Sequence, residues 1–116
     1  MLPSPEETEI HPAALAALLV NRSTAPLRLI DCREPEEYGY CHIEGAELVP
    51  LSNFGAEARQ CGLLDETLPV IVYCHHGMRS LRATHFLRQK GIEKVWSLAG
   101  GIEQWSCEIN PEVPRY

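Results

Sequence analysis

Short apolar runs alternate along the chain with amphipathic segments, and each run has the length of one buried strand. Strands are predicted at residues 8–10, 27–32, 46–51, 70–74 and 94–98. Helices are predicted at residues 12–20, 34–37, 52–58 and 80–90, with a last short helix from residue 101 that ends near Trp105. This alternation favours a mainly parallel sheet covered on both faces, in which ligands bind beyond the carboxyl ends of the strands.

Length and composition favour one globular domain. The chain has 116 residues, of which 45% are apolar, and we expect a core at about residues 8–107 followed by an irregular tail at 108–116. No apolar run approaches the roughly 20 residues that span a bilayer. The N-terminus has neither the basic region nor the cleavage site of a signal peptide. We therefore expect a cytoplasmic protein that does not bind membranes.

The charge pattern points to a local anion site. The net charge of −6 disfavours nucleic acid as a partner. Residues 70–92 nevertheless contain no Asp or Glu, although they include Arg79, Arg82, Arg88 and Lys90. A basic segment in an acidic protein suggests that a small anion binds there. A solvated basic helix face explains the charges alone equally well.

The cysteines do not form a recognisable disulfide or zinc pattern. There are five of them, an odd number, and no two are spaced as C-x-x-C. Cys32, Cys41 and Cys61 are predicted to be structural, as small buried side chains usually are. Cys107 follows the last helix, so we expect it to be exposed and to be the one reasonable candidate for a second, resolving thiol.

Cys74 carries the strongest chemical signal. It ends a buried strand and precedes a tight loop and a helix. Such a loop can turn successive backbone N–H groups towards one centre, and the helix N-terminus and Arg79 add positive potential there. All these effects favour the thiolate, which is the reactive form of cysteine. Gly77 suits a backbone position that needs a positive φ. The alternative, that Cys74 merely ends a core strand, does not explain this combination.

The other loop residues are predicted to contact the substrate. They are His75, His76, Gly77, Met78 and Ser80. The two histidines could bind a metal together with Cys74, but three adjacent residues rarely present tetrahedral geometry to one ion. We therefore predict no metal site.

Four segments resemble, in order, the signatures of the rhodanese family. The likeness covers about residues 10–105. Cys41 and Glu44 depart from the commonest form, where the family often has Gly and Pro, but both lie outside the loop. The matching segments are Leu29-Ile-Asp31-Cys-Arg33-Glu-Pro-Glu-Glu37-Tyr, His42-Ile43-Glu44-Gly45-Ala46, Cys74-x-x-Gly77-x-Arg79-Ser80 and Gly100-Gly101-Ile-Glu-Gln-Trp105.

The resemblance implies an α/β fold with a central five-stranded parallel sheet and a persulfide intermediate on Cys74. The predicted reaction is a double displacement without metal or organic cofactor. Cys74 attacks the outer sulfur of a small anionic donor such as thiosulfate, and cyanide or a thiol then removes that sulfur. Backbone N–H groups of residues 75–80 would stabilise the persulfide, while Arg79 would help to bind the donor.

The same fold would suit three alternative functions. A sulfur-carrier module that docks on a protein acceptor, with little small-molecule turnover, would use the same loop. A silent interaction domain does not need Cys74 and Arg79. Cysteine phosphatases and arsenate reductases use Cys-x5-Arg, whereas the spacing from Cys74 to Arg79 is one residue shorter. A smaller ring of N–H groups should suit a terminal sulfur better than a phosphate.

Structural roles are predicted for the polar and aromatic residues outside the loop. Asp31 and Arg33 follow a buried strand and should form an ion pair or a cap. His42 should hydrogen-bond to backbone. Trp96 and Trp105 should pack in the core.

Overall fold

All neighbouring strands of the central sheet run parallel. The computed structural model of the protein describes residues 2–116, and its strands lie in the order β1-β5-β4-β2-β3. The predicted five-stranded parallel sheet is thereby confirmed. The strands are β1 (Glu9–Ile10), β2 (Arg28–Asp31), β3 (Glu47–Leu48), β4 (Val70–Tyr73) and β5 (Val95–Leu98).

Helices cover both faces of the sheet. Within residues 2–116, no helix combines the length and the apolar character that a bilayer crossing requires. Two 3₁₀ turns, Leu51–Asn53 and Leu63–Asp65, flank the third helix. The helices are α1 (Pro12–Val20), α2 (Pro35–Tyr40), α3 (Phe54–Gln60), α4 (Met78–Gln89) and α5 (Gly101–Glu108).

The strands separate two buried clusters. Side chains alternate between the faces of a strand, so Ile71 and Tyr73 of β4 pack with α1 and α5, whereas Val70 and Val72 pack with α3 and α4. All four residues of β4 are fully buried. Burial on both faces explains why this strand is a continuous apolar run rather than an alternating one.

Several element boundaries differ from the predicted ones. Helix α4 begins at Met78, two residues early, because Gly77 has a φ of 112° and turns the chain directly out of the loop into the helix. Helix α2 continues to Tyr40. Strand β3 contains only two residues, since it pairs with β2 alone and Pro50 follows soon after. Helix α5 ends at Glu108 rather than near Trp105.

Candidate functional site

Cys74 lies immediately beyond the carboxyl end of β4, where loop and helix donors converge on its sulfur. The backbone N–H of Gly77 donates to Cys74 Sγ at 3.1 Å and that of Ser80 at 3.3 Å. The Ser80 hydroxyl lies 3.5 Å from the same sulfur. Cys74 is only 1% exposed. The loop therefore presents preorganised donors to an atom that has almost no contact with water.

These donors make Cys74 an anion at neutral pH. The neighbouring Cys32 thiol has the largest of the effects that lower the pKa of Cys74 to about 5, followed by the hydrogen bonds from the Ser80 hydroxyl and the two backbone groups. Burial acts in the opposite direction but is outweighed. The predicted thiolate is thus explained mainly by hydrogen bonds from groups that touch the sulfur.

A buried serine pair supports the donor loop. Ser80 Oγ lies 2.6 Å from Ser97 Oγ on β5, and it also donates to the carbonyl of Gly77 at 3.1 Å. Both side chains are fully buried. Ser97 was not predicted as a site residue, although a lone hydroxyl in the apolar strand β5 was a visible signal. It fixes the rotamer of Ser80 and so the direction of its hydroxyl.

The start of α5 holds the loop from behind. The backbone N–H groups of Ile102 and Glu103 donate to the carbonyls of Cys74 at 2.9 Å and His75 at 3.1 Å. Gly101 has a φ of 62°, and a Cβ there would lie 2.5 Å from the carbonyl oxygen of Cys74. Only glycine permits this close approach. With their carbonyls bound to α5, the loop peptides keep a fixed orientation around the sulfur.

Arg79 binds a carboxylate of the protein itself. Its guanidinium forms two parallel hydrogen bonds with Glu37 of α2, from Nη1 to Oε1 at 2.7 Å and from Nη2 to Oε2 at 3.0 Å. The arginine lowers the pKa of Glu37 to about 2. The side chain of Arg79 is 33% exposed. A donor that binds to Arg79 must therefore share the guanidinium with Glu37 or displace it.

The remaining loop side chains lie at different depths. His75 is partly buried and stacks on His76, with ring centroids 3.9 Å apart. Burial lowers the pKa of His75, which favours the neutral form of its ring. Met78 is 73% exposed, so its side chain faces solvent rather than the sulfur. Of the predicted loop residues, Gly77 and Ser80 touch Cys74 Sγ directly.

The C-terminal tail crosses the site, which the sequence did not indicate. Tyr116 stacks on His75 with centroids 3.9 Å apart and planes 9° from parallel. Its hydroxyl donates to Glu37 at 2.8 Å and accepts from Arg33 at 2.7 Å. Residues 110–116 contain neither helix nor strand, yet Tyr116 contacts both residues 33–37 and the loop at His75. No local pattern in the tail could reveal contacts with residues so distant in sequence.

The structural roles predicted outside the loop are confirmed. Asp31 and Arg33 form a fully buried ion pair, with Oδ2 and Nη2 2.6 Å apart. His42 Nδ1 lies 2.9 Å from the carbonyl oxygen of Tyr38. Trp96 and Trp105 are buried in the cluster beneath α1 and α5.

One group of side chains offers atoms that a metal could bind. His75, His76 and Glu103 each place a ligand atom within 4.8 Å of the others. Glu103 already pairs with Arg115, whose positive charge competes with a cation for the same carboxylate. Cys74 does not belong to this group. The absence of a metal site stays a prediction.

The positions of two cysteines differ from the simple expectations. Cys32 is buried, as expected, but it is adjacent to Cys74, because it continues β2 beside the end of β4 and both side chains pack in the same buried cluster. Cys107 is exposed on α5, and its sulfur faces Glu103 at 3.9 Å. Cys107 was predicted to follow the last helix, but it lies within α5 because that helix ends at Glu108. Its exposure is confirmed, and its role as a second thiol stays a prediction.

Comparisons with known proteins agree with this architecture. Residues 12–108 match the family model described as rhodanese-like domain. The thiosulfate sulfurtransferase GlpE of Actinobacillus pleuropneumoniae serotype 5b is 33% identical over 109 residues, which cover 94% of this chain and 95% of that protein. The crystal structure of a rhodanese-related protein from Thermoplasma volcanium superposes with a TM-score of 0.72 at 30% identity, covering 94% of this chain and 99% of the other.

Some relatives are much longer than this chain, which spans between 23% and 63% of the length of several of them. One is the probable adenylyltransferase/sulfurtransferase MoeZ of Mycobacterium tuberculosis. It is 32% identical over 90 residues, which cover 78% of this chain and 23% of that protein. The same kind of domain thus occurs as a part of larger proteins.

Proposed function

The chain belongs to the rhodanese-like domain family, and on that premise we propose that it is a sulfurtransferase that carries sulfur as a persulfide on Cys74. The observation that supports this proposal most strongly is the thiolate at Cys74, whose pKa is about 5. A nucleophile that is charged at neutral pH within a ring of N–H donors suits the capture of one electrophilic sulfur atom. The donor would be thiosulfate or a persulfide, and the acceptor cyanide or a thiol.

In the first half-reaction the Cys74 thiolate attacks the outer sulfur of thiosulfate. A new S–S bond forms to Cys74, the S–S bond of thiosulfate breaks, and sulfite leaves with the bonding electron pair. The negative charge of the thiolate passes to the terminal sulfur of the persulfide. The N–H groups of Gly77 and Ser80, which donate to Cys74 Sγ, belong to the loop whose backbone donors would stabilise that charge.

In the second half-reaction the acceptor removes the terminal sulfur. Cyanide attacks it, the S–S bond to Cys74 breaks, and thiocyanate leaves while the thiolate is restored. A thiol acceptor becomes a persulfide by the same displacement. Neither step transfers electrons to or from an outside group, so the cycle requires no metal or organic cofactor.

Arg79 is proposed to bind the anionic donor in partnership with Glu37. Arg79 lies in the first turn of α4, close to the loop, and its side chain is a third exposed. A carboxylate on the same guanidinium would select against large or highly charged anions through repulsion. This selection would add to that of the short Cys74-x4-Arg79 loop, which leaves less room than a phosphate-binding loop.

A second candidate function is a sulfur carrier for a protein acceptor. It is favoured by the relatives in which this kind of domain is joined to other domains, as the name of the probable adenylyltransferase/sulfurtransferase MoeZ indicates for that protein. The Cys74 site would be the same, but turnover with free cyanide would be slow. The name of the GlpE relative, which has nearly the same length, favours the small-molecule enzyme.

The test is intact-mass spectrometry after treatment of the reduced protein with thiosulfate. We expect the mass to rise by one sulfur atom and to return to its initial value when cyanide is added. Cys74→Ser should prevent the adduct, whereas Cys61→Ser, a matched change of an exposed cysteine, should not. An adduct on the Cys74→Ser variant would refute the proposal. Complete addition of one sulfur atom to the protein, together with negligible steady-state turnover with thiosulfate and cyanide, would instead favour the carrier.

A further inference from the structure

We propose that Cys32 is a resolving thiol: after a hydroperoxide oxidises Cys74, Cys32 captures the oxidised sulfur and forms a Cys32–Cys74 disulfide. The disulfide would stop sulfur transfer until an external thiol reduces it. This second chemistry of the site needs no sulfur donor or acceptor, so it stands independently of the proposed sulfurtransferase activity.

Strand register places the two cysteines side by side. In the parallel pair β2–β4, Asp31 is the partner of Tyr73, so Cys32 and Cys74 occupy the next equivalent positions. The N–H of Cys32 donates to the carbonyl of Tyr73 at 3.0 Å, which continues the ladder beyond the strand ends. Adjacent strands lie about 4.8 Å apart. Disulfides span Cα separations of roughly 4.4–6.8 Å, so the backbone is already within range.

The two side chains also point to the same face of the sheet. Cys32 follows Ile30 by two residues and Cys74 follows Val72 by two, and all four pack in the cluster beneath α3 and α4. Cys32 is completely buried, and Cys74 is 1% exposed. Cys32 therefore lies beside Cys74 within one buried cluster, so it needs no path through solvent to reach the oxidised sulfur.

The adjacency of the two thiols also explains why Cys32 is unreactive until Cys74 is oxidised. The interaction with the Cys74 thiolate, together with burial, raises the pKa of Cys32 far above its usual range. Cys32 therefore stays protonated while its neighbour is an anion. Conversion of Cys74 to a neutral sulfenic acid removes the negative charge that retains this proton, and Cys32 then faces an electrophilic sulfur.

The oxidation balances with one molecule of hydrogen peroxide. The Cys74 thiolate attacks a peroxide oxygen, the O–O bond breaks, and the products are sulfenic acid and hydroxide. The Cys32 sulfur then attacks Cys74 Sγ, the S–O bond breaks, and the thiol proton of Cys32 joins the leaving hydroxide as water. Two electrons pass from the cysteines to the peroxide. Reduction by a thiol through exchange restores both cysteines.

The physical benefit is protection of Cys74 from irreversible loss. A low-pKa thiolate is readily oxidised to sulfenic acid, and a second peroxide converts that acid to sulfinic acid, which thiols do not reduce. Capture by an adjacent thiol competes with the second oxidation. Neither of the exposed cysteines, Cys61 and Cys107, lies in the buried cluster that contains Cys74.

The experiment is peptide mapping after peroxide treatment of the reduced protein in the absence of free thiol. Trypsin releases Cys32 in residues 29–33 and Cys74 in residues 60–79, which also contain Cys61. The mapping therefore uses a Cys61→Ser background. We expect the two peptides to be joined under non-reducing conditions, and the intact protein to have lost two hydrogens. The absence of this crosslink, with sulfinic acid on Cys74 instead, would overturn the proposal.

Variants measure the protective effect directly. After peroxide and then dithiothreitol, the reference protein should recover its Cys74 thiol, whereas Cys32→Ser should recover at least tenfold less. Cys107→Ser is the matched control and should behave as the reference does. Cys32→Val, which fills the buried position with an apolar side chain, replaces Cys32→Ser if the serine variant does not fold. Equal recovery with and without Cys32, or a crosslink to Cys107, would contradict the assignment.

Discussion

Arg79 joins the first turn of α4 to α2 through a two-armed ion pair with Glu37, 42 residues earlier in the chain. Neither partner is fully buried, and bidentate geometry is the strongest form of such a pair. The pair therefore connects the loop after Cys74 to the helix that follows β2. It gives Arg79 a structural role beside the proposed binding of the donor, and mutation can separate the two.

Replacement of Arg79 should weaken the use of an anionic donor. Arg79→Ala is expected to lower kcat/KM for thiosulfate by at least tenfold, or about 1.4 kcal/mol. Arg79→Lys should keep only a part of the kcat/KM for thiosulfate, because the lysine ammonium is a point charge and lacks the planar guanidinium fork. Steady-state kinetics check this. Glu37→Gln is the matched control: if donor binding is the role of Arg79, it should keep most of the activity. Equal losses in both variants, together with equal destabilisation, would show that the pair is only structural.

The reactivity of Cys74 should depend on pH with a midpoint at about 5. Below this value the thiol is protonated and alkylation by iodoacetamide slows, whereas above pH 7 the rate should be flat. Removal of a donor leaves the thiolate less stabilised, so Cys32→Val and Ser80→Ala should both move the midpoint upwards. Alkylation rates between pH 4 and 8, followed by mass spectrometry, give the profile. A midpoint near that of free cysteine, roughly 8.5, would contradict the described geometry.

Tyr116 should stabilise the loop through its hydroxyl and its ring separately. Tyr116→Phe loses the hydrogen bonds to Arg33 and Glu37, which should cost about 1 kcal/mol of unfolding free energy. Tyr116→Ala also loses the stacking on His75, which should cost roughly 0.5–1.5 kcal/mol more. Urea denaturation measures both changes. Tyr40→Phe is the control, because it removes a hydroxyl from a ring that meets Tyr116 edge-on. If it lowered the free energy of unfolding as much as Tyr116→Phe does, the hydroxyl network would not be the cause.

Loop length should select the substrate. Insertion of one glycine after Gly77 converts the spacing from Cys74 to Arg79 into Cys-x5-Arg, and we expect the fold to persist while most persulfide transfer is lost. The inserted residue moves the N–H of Gly77 or that of Ser80 out of hydrogen-bonding reach of the sulfur. These groups now donate to Cys74 Sγ at 3.1 and 3.3 Å. Thiosulfate turnover, circular dichroism and protection by phosphate against thermal unfolding are compared in both forms. Unchanged sulfur transfer in the folded insertion variant would show that loop size does not set the chemistry.

The sequence predicted the scaffold and the central residue of the site, because both depend on local patterns. The apolar run of β4, the glycine at 77 and the helix that follows are close together in the chain, and their order alone places Cys74 in a loop of N–H donors. The resemblance to a known family supplied the order of the remaining motifs and the five-stranded sheet.

What the sequence did not predict depends on contacts between distant residues. Ser97 reaches Ser80 from a neighbouring strand, and Tyr116 returns to Arg33 across 83 residues. Cys32 was correctly expected to be buried, but its role depends on the register between β2 and β4, which periodicity does not specify. Each of these residues acts through a pairing that only the folded chain creates.

The hydrogen bonds from Ile102 and Glu103 to the carbonyls of Cys74 and His75 have a consequence for synthesis on the ribosome. The chain emerges from its N-terminus, so β4 and the loop are made before the segment that supports them. Until residues 101–103 have left the ribosomal tunnel and α5 has docked, the loop peptides lack their fixed orientation. Cys74 of a nascent chain should therefore have the reactivity of an ordinary thiol, and should become a strong nucleophile only when the last helix is in place.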